Sequence, residues 1–259
     1  MNNNQPKKYV VFGATGNTGR EMLPLLLGAG HSVRAFARTP SKLSIQHANL
    51  EIVQGDITNT EAVRNAIKGM DAVISLVGGP LGDRTYKGGV LFPYIKAVHE
   101  AMRANGINKL LLQTGGASKI KGEKFNFLRD IVVKKVDGPL RGDHGVHIDN
   151  DAAINYLESN ANDVDWIITR PPLLVDEFSM GKVIGLDKLP WPPKITFKDM
   201  ATYNVHLLGD EKAIKTAKYV GYPQTTFHLP SYTGYICFSA CSSFSRHFIL
   251  FLFKLNITK

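Results

Sequence analysis

Cysteine is almost missing from this chain: Cys237 and Cys241 are the two thiols in 259 residues. At C-x-x-x-C spacing they exclude a disulfide framework and a four-cysteine zinc site, and they read as ordinary reduced thiols. No segment repeats with a period of roughly 20 to 50 residues, which argues against solenoids and propellers. Met1 to Lys8 is polar and lacks an apolar h-region, so no secretory signal of the usual kind is expected and the chain is read as soluble and cytoplasmic. Disorder is excluded for most of the length, because 44% hydrophobic content is ample for a packed core and the 24 glycines and 13 prolines are scattered.

Acid is missing from one end. The last acidic residue is Glu211, and beyond it Lys212, Lys215, Lys218, Arg246, Lys254 and Lys259 stand alone. Those six belong to the 31 basic residues, leaving 25 against all 22 acids, so the net +9 resides largely in the C-terminal stretch. Lys119, Lys121, Lys124, Arg129, Lys134 and Lys135 form a second basic run against Glu123 and Asp130. A solvated face is the preferred reading over a phosphate-tracking surface, and nucleic acid is not the expected partner.

What is present alternates. Lys8 to Phe12 is a short apolar strand, followed by a helix from Arg20 to Leu27 with Pro24 inside it. Strands are predicted at His31 to Ala37, Leu50 to Gln54, Asp71 to Val77, Lys109 to Gln113 and Trp166 to Thr169. Helices are predicted between them: one through Ile67 after Thr58-Asn59-Thr60-Glu61, which has capping-box spacing, then Phe92 to Asn105 and Ala152 to Ser159. A repeated β-α-β order demands a parallel sheet with right-handed crossovers. The fold class is therefore α/β, a Rossmann-like doubly wound parallel sheet with helices on both faces, as one domain over residues 7–222. After Pro172 the pattern weakens to loops and a helix from Met200 to Leu208.

Residues 223–259 form a separate, acid-free apolar tail holding six of the 13 phenylalanines. A membrane span wants about 20 apolar residues, and Arg246-His247 and the serines interrupt the candidate around Phe248 to Phe253. An aberrant or poorly packed extension is the preferred reading, and docking on the body or on a partner is a third.

The strongest chemical signal is Gly13-Ala14-Thr15-Gly16-Asn17-Thr18-Gly19, between an apolar strand and a helix. The first glycine permits the tight turn, the second lets backbone approach a pyrophosphate, and the third lets helix pack on strand. The helix N-terminus then offers N–H groups to the phosphates. An ordinary glycine-rich turn is the alternative.

The spacing G-x-x-G-x-x-G resembles the atypical or extended short-chain dehydrogenase/reductase superfamily. It is most similar to the NAD(P)H-binding group containing flavin reductase/biliverdin IXβ reductase and NmrA-like proteins. Further stations match in order over about residues 7–222: Arg38, Gly55-Asp56, Val77-Gly78-Gly79, Gln113-Thr114-Gly115, Arg170-Pro171-Pro172 and Lys198-Asp199-Met200-Ala201. The resemblance implies that Gly13, Thr15, Gly16, Asn17, Thr18 and Gly19 hold the phosphates and that Asp56 and Ile57 flank the adenine. It also implies that Val77, Gly78 and Gly79 line the adenosine path, that Thr114 and Gly115 adjoin the nicotinamide ribose, and that Pro171 and Pro172 wall the nicotinamide. Each could instead be strand-ending turn chemistry, with Asp56 as an Asx-turn residue.

Cofactor choice follows from charge. An acid closing the second strand would bond the ribose hydroxyls and repel a 2′-phosphate, but Ala37-Arg38 stands there, with Lys42 nearby. A guanidinium can stack on adenine and contact the phosphate, so NADP(H) is expected over NAD(H).

One absence bears on mechanism. No tyrosine is followed four residues later by lysine, so the Tyr-x-x-x-Lys dyad of typical short-chain dehydrogenases is missing. Reversible alcohol oxidation is therefore disfavoured, and hydride transfer to a small conjugated or aromatic acceptor of flavin, quinone or tetrapyrrole type is the expected activity. A non-catalytic NADP(H)-binding redox sensor of the NmrA-like kind is the alternative. In the reductases of this group a serine commonly follows the threonine after strand five; here that position is Gly115 and the nearest serine is Ser118. Candidate proton donors are Lys119, His144 and His147, the histidines in a loop-like Asp143-His-Gly-Val-His147 segment. Surface histidines are favoured over a metal pair, and no metal is expected. Tyr86, Ser118 and Pro172 are candidate substrate contacts, and Gly78 to Gly89 and Val175 to Trp191 are candidate lids. The partner is a small molecule, and a monomer is expected.

Overall fold

The structure is a computed structural model, and it describes residues 5–79, 83, 85–123, 144–190 and 193–223. The cysteines, nearly all of the tail and most of the second basic run lie outside the described residues.

An eight-stranded sheet organises the domain. Its strands are β1 (Lys8–Phe12), β2 (Ser32–Ala37), β3 (Leu50–Gln54), β4 (Ala72–Ser75), β5 (Lys109–Gln113), β6 (Asp165–Arg170), β8 (Ile184–Leu186) and β10 (Thr216–Gly221). They run in the order β3-β2-β1-β4-β5-β6-β10-β8, and a separate pair joins β7 (Leu173–Val175) to β9 (Lys194–Thr196). All neighbours in the large sheet pair in parallel except β8, which closes the edge antiparallel to β10. The sheet is thus mostly parallel.

Side-chain alternation divides the core into two layers. Val10 and Phe12 join Val73, Leu110, Leu112 and Ile168 in a cluster with α2 (Thr60–Ile67), α3 (Leu91–Ala104) and α4 (His144–Asn160). Tyr9 and Val11 join Val33, Ala35, Ile74, Leu111 and Ile167 beneath α1 (Asn17–Gly28) and α5 (Phe197–Leu207). Covering both faces in this way is what near-continuous apolar strands require.

The helices depart from their sequence-based bounds in instructive ways. Helix α1 begins at Asn17, within the glycine segment, because Gly16 takes an extended conformation and serves as N-cap; the helix runs through Pro24 without ending. The N-cap of α2 is Asn59, whose side chain accepts from the Ala62 amide, while Thr58 bonds to Asp56 instead. Helix α4 starts eight residues before the predicted Ala152, and β7 to β10 were not anticipated.

Candidate active site at the carboxyl edge of the sheet

Because β1 to β6 are parallel, their carboxyl ends share one edge. In sheet order that edge carries Asp56 and Ile57 after β3, Arg38 after β2, the glycine turn after β1, Val77 to Gly79 after β4, Thr114 and Gly115 after β5, and Pro171 and Pro172 after β6. Six strand ends at about 4.8 Å spacing make a continuous ledge roughly 24 Å long. The chain leaves β1 for β2 and β3 on one side and returns to β4 on the other, so the glycine turn sits at the switch point where such sheets open a crevice.

At that point glycine is sterically required. Gly13 has φ +79°, and a Cβ there would stand 2.7 Å from the Leu76 carbonyl carbon and oxygen. A Cβ on Gly19 would stand 2.5 Å from the Gly13 oxygen and 2.7 Å from the Ala14 oxygen. The turn closes with the Gly16 amide donating to the Gly13 carbonyl at 3.0 Å. Among the described residues no side chain caps the α1 N-terminus and no acid lies in its first turn, so the positive end of the helix has no anionic partner there.

At the β2–β3 end, Arg38 is exposed, and its carbonyl accepts from the Gln54 side chain at 3.4 Å. Asp56 turns back on its own loop, accepting from the Thr58 amide at 2.9 Å and hydroxyl at 2.7 Å. These bonds, with a smaller contribution from the Arg38 guanidinium, hold its carboxyl below the usual carboxylate value. Asp56 is therefore an Asx-turn residue in this structure, whatever else it contacts. Ile57 packs on the core, and Lys42 ends a short 3-10 turn from Pro40.

The β5–β6 end is tied more tightly. The Thr114 amide donates to the Thr169 carbonyl at 2.9 Å, and Gly116 donates to the Pro171 carbonyl at 2.6 Å. Ser118 is fully buried, its hydroxyl accepting from the Gly115 amide at 3.3 Å. Arg170, 2% exposed, donates to the Ser118 carbonyl and to both oxygens of Glu123 while lying 3.8 Å over the Tyr219 ring. These bonds fix the strap from Gly115 to Glu123 beside β6. Gly115 faces Asn150 of α4, whose amide nitrogen would lie 3.8 Å from a Cβ at that position.

His144 and His147 correct the sequence reading: both lie in the first turn of α4, not in a loop. His144 is exposed and His147 half-buried. The helix reaches this far because Gly145 abuts the Tyr86 carbonyl and Gly88 amide with no room for a side chain, and Val146 lies against Gly79. Lys119 is exposed, and its amide donates to Asp151 at 2.7 Å. Among the described residues no group of three or more His, Cys, Asp or Glu is arranged to hold a metal ion.

The central residue of this region was not flagged by the sequence. Asp149, 3% exposed on α4, accepts from the Gly89 amide at 2.6 Å and from the Val90 and Leu91 amides at 3.1 Å each, and from the Tyr86 phenol. It thereby caps α3 from another helix and ties down the loop before it. Burial alone would push its carboxyl up, but the Tyr86 hydroxyl and the three amides more than offset that and hold it below the usual range. Tyr86 is shifted the other way, since burial and the bond to Asp149 push its phenol above the ordinary tyrosine value. Its hydroxyl is committed to Asp149, leaving the ring as the part that can meet a substrate. Asp149→Asn should destabilise the domain by about 2–4 kcal/mol, because an amide cannot accept from four donors. The wild-type contribution is complete above the unfolded carboxyl value near 4 and is lost as pH falls through the lower folded value. Urea unfolding from pH 7 to 3 should show the two proteins converging at the acid end.

A second buried carboxylate, Asp199 at the start of α5, accepts from Ser179 at 2.5 Å, the Met180 amide at 2.8 Å and Tyr222 at 2.6 Å. It anchors the loop after β7, where Phe178 is 97% exposed. No helix among the described residues is long and apolar enough to cross a membrane.

Comparison with known proteins bears on the family and the fold. The family model described as NAD(P)H-binding matches residues 13–211. A 3-beta-hydroxysteroid dehydrogenase from Mycolicibacterium neoaurum is 40% identical over 86 residues, which cover 31% of this chain and 23% of that protein. The chain therefore spans less than a quarter of that curated relative. An anaerobillin reductase from Escherichia coli O157:H7 superposes with TM-score 0.67 at 18% identity, over 84% of this chain and 98% of that one. A short-chain dehydrogenase/reductase from Veillonella parvula, crystallised in complex with NADP, superposes with TM-score 0.65 at 16% identity, over 88% and 100%. At these identities the two structures establish the shared fold.

Proposed function

The chain belongs to the NAD(P)H-binding family, and from that premise we propose that it is an NADPH-dependent reductase of a small conjugated or aromatic acceptor. The observation that carries the nucleotide half is the glycine turn. Backbone fills the space a side chain would need at Gly13 and Gly19, and an uncapped helix end with no acid opens beside it. A pyrophosphate fits that donor set, and Thr15, Gly16, Asn17 and Thr18 would hold it. Asp56, Ile57 and Arg38 would hold the adenosine end; Val77, Gly78 and Gly79 its path; Thr114, Gly115 and Pro171 the nicotinamide end. Bound there, the dinucleotide supplies a hydride.

The acceptor half rests on what surrounds the β5–β6 end. The dyad that would exchange an alcohol proton is missing from the sequence. The Tyr86 hydroxyl is held by Asp149, and the Ser118 hydroxyl is turned inward. What the loops offer is instead a ring at Tyr86, apolar Pro172 and an exposed Phe178. Such a surface orients a planar molecule, and an acceptor that takes hydride at a conjugated position can draw its proton from water. The anaerobillin reductase that shares the fold carries a name of the same reaction class.

The test is stoichiometric NADPH oxidation with flavin, quinone and tetrapyrrole acceptors, alongside direct titration with NADPH. Turnover with one acceptor class and not with simple alcohols or ketones is the expected result. Firm binding of NADPH with no turnover on any of them would overturn the reductase reading in favour of a redox sensor.

A further inference from the structure

The proposed nucleotide site explains Thr18 by its position, but not the chain of buried amides behind it. Four fully or nearly fully buried side chains run through the protein beneath the ledge. The Thr169 hydroxyl on β6 donates to Asn204 Oδ1 of α5 at 3.2 Å. Asn204 Nδ2 donates to Gln113 Oε1 of β5 at 2.9 Å. Gln113 Nε2 donates in turn to Thr18 Oγ1 in the first turn of α1 at 3.3 Å. Exposures are 1% for Thr169, 0% for Asn204, 8% for Gln113 and 5% for Thr18, so water does not compete for these bonds.

Each link runs in the same direction. An amide that accepts on its oxygen and donates from its nitrogen passes on the direction it receives, as Asn204 and Gln113 both do. At the end of the chain Thr18 is an acceptor toward Gln113, and its one hydroxyl hydrogen goes to no described residue. That hydrogen belongs to a residue between Gly16 and Gly19, in the helical turn whose backbone amides are also uncapped. The amides at the start of α1 and the Thr18 hydroxyl hydrogen are all donors, which is the polarity a phosphate oxygen requires.

We propose that Gln113 and Asn204 are positioning residues for the dinucleotide: the buried chain Thr169–Asn204–Gln113 commits the Thr18 hydroxyl to donating at the phosphate end of the site. The inference rests on the nucleotide reading above and adds to it two buried residues, Gln113 at the end of β5 and Asn204 of α5. The same chain joins β5 and β6, at the nicotinamide end, to α1 at the phosphate end, so the two halves of the site share one set of bonds.

Asn204→Asp tests the direction. A carboxylate only accepts, so Gln113 must turn its nitrogen toward it and its oxygen toward Thr18, which then donates inward and shows lone pairs to the phosphate. Affinity for NADP⁺, read by titration calorimetry on the full chain, should fall about tenfold at pH 8. A protonated carboxyl restores the original direction, since it donates and accepts like the amide. Burial raises the pKa of such a carboxyl, so the ratio of variant to wild-type Kd should return toward one as pH is lowered toward 6. In a Thr18→Val background the same change should alter Kd less than twofold, because the hydroxyl through which it acts is gone.

Thermal melts of each variant separate the outcomes. A purely structural chain would lower the melting temperature while leaving Kd the same, and that result overturns the proposal. So does an equal loss of affinity with and without Thr18. If Asn204→Asp does not fold at pH 8, Gln113→Glu imposes the same reversal one link nearer, with the same pH recovery expected. Should the wild-type chain bind neither NADP⁺ nor NAD⁺, the nucleotide reading itself fails; a wild type that binds beside a variant indifferent to pH fails the relay alone.

Discussion

Replacing Arg38 with alanine should weaken NADPH binding by about 10- to 100-fold and change NADH binding by less than about threefold, since charge-assisted hydrogen bonds contribute roughly 1.5–3 kcal/mol. The asymmetry follows from what stands at the end of β2. Arg38 is the first residue beyond that strand, exposed, with its carbonyl held by Gln54, so its backbone is placed while its guanidinium stays available. The nearest acid on the ledge, Asp56, is spent on its own Thr58 and offers no carboxylate to ribose hydroxyls from the position where NAD-selective sites carry one. Arg38→Lys should recover part of the preference, because a point charge remains but the planar fork is lost. Since the group is exposed, raising the salt concentration should shrink the preference of the wild type toward that of the alanine variant. Equal NADPH-to-NADH ratios in wild type and Arg38→Ala would remove the 2′-phosphate reading and leave family membership untouched.

The strands that frame this ledge were legible because each depends on its own residues. Lys8 to Phe12, Leu50 to Gln54 and Lys109 to Gln113 are runs of apolar or β-branched side chains closed by turns, and the structure keeps those bounds. The later strands have no such independence. Strand β10, with Lys218 in its middle, is held by its parallel pairing with β6, and β7, β8 and β9 are three residues each. Residues 144–151 of α4 are rich in glycine, histidine, aspartate and asparagine, a poor helix by propensity. Contacts with the loop before α3 make them helical: Gly145 against Tyr86, Val146 against Gly79, and Asp149 on three amides.

The site divides along the same line. Turn glycines and the arginine after β2 carry local signals and could be read in order. Asp149 meets Gly89 across 60 residues of sequence, and Gln113 reaches Asn204 across 91 and Thr18 across 95. No spacing rule joins such pairs, because the parallel sheet brings them together only after its crossovers form. Sequence reasoning named the residues along the strand ends, Gln113 among them, and did not link the buried polar groups Asp149, Asn204 and Gln113 to the partners the fold gives them.

Gly19→Ala should cost the site most. The added Cβ would meet the Gly13 oxygen at 2.5 Å, the Ala14 oxygen at 2.7 Å and the Ala14 carbonyl carbon at 2.8 Å. All three are backbone atoms of the glycine turn itself, so no side chain can rotate away and the start of α1 must back off from β1. Overpacking of this kind costs about 1–3 kcal/mol, or a fall in melting temperature of roughly 3–10 °C for a domain of this size. The loss of dinucleotide affinity should be larger in proportion, more than about 100-fold, because the amides at the start of α1, the proposed phosphate donors, move with the helix. Gly28→Ala is the matched control at the other end of the same helix. A Cβ there meets nothing within 4 Å, and alanine is the better helix former, so stability should hold or rise by up to about 1 kcal/mol with affinity unchanged. If Gly19→Ala binds NADPH as wild type does, the turn is only a way of packing helix on strand, and the phosphates must be held elsewhere along the ledge.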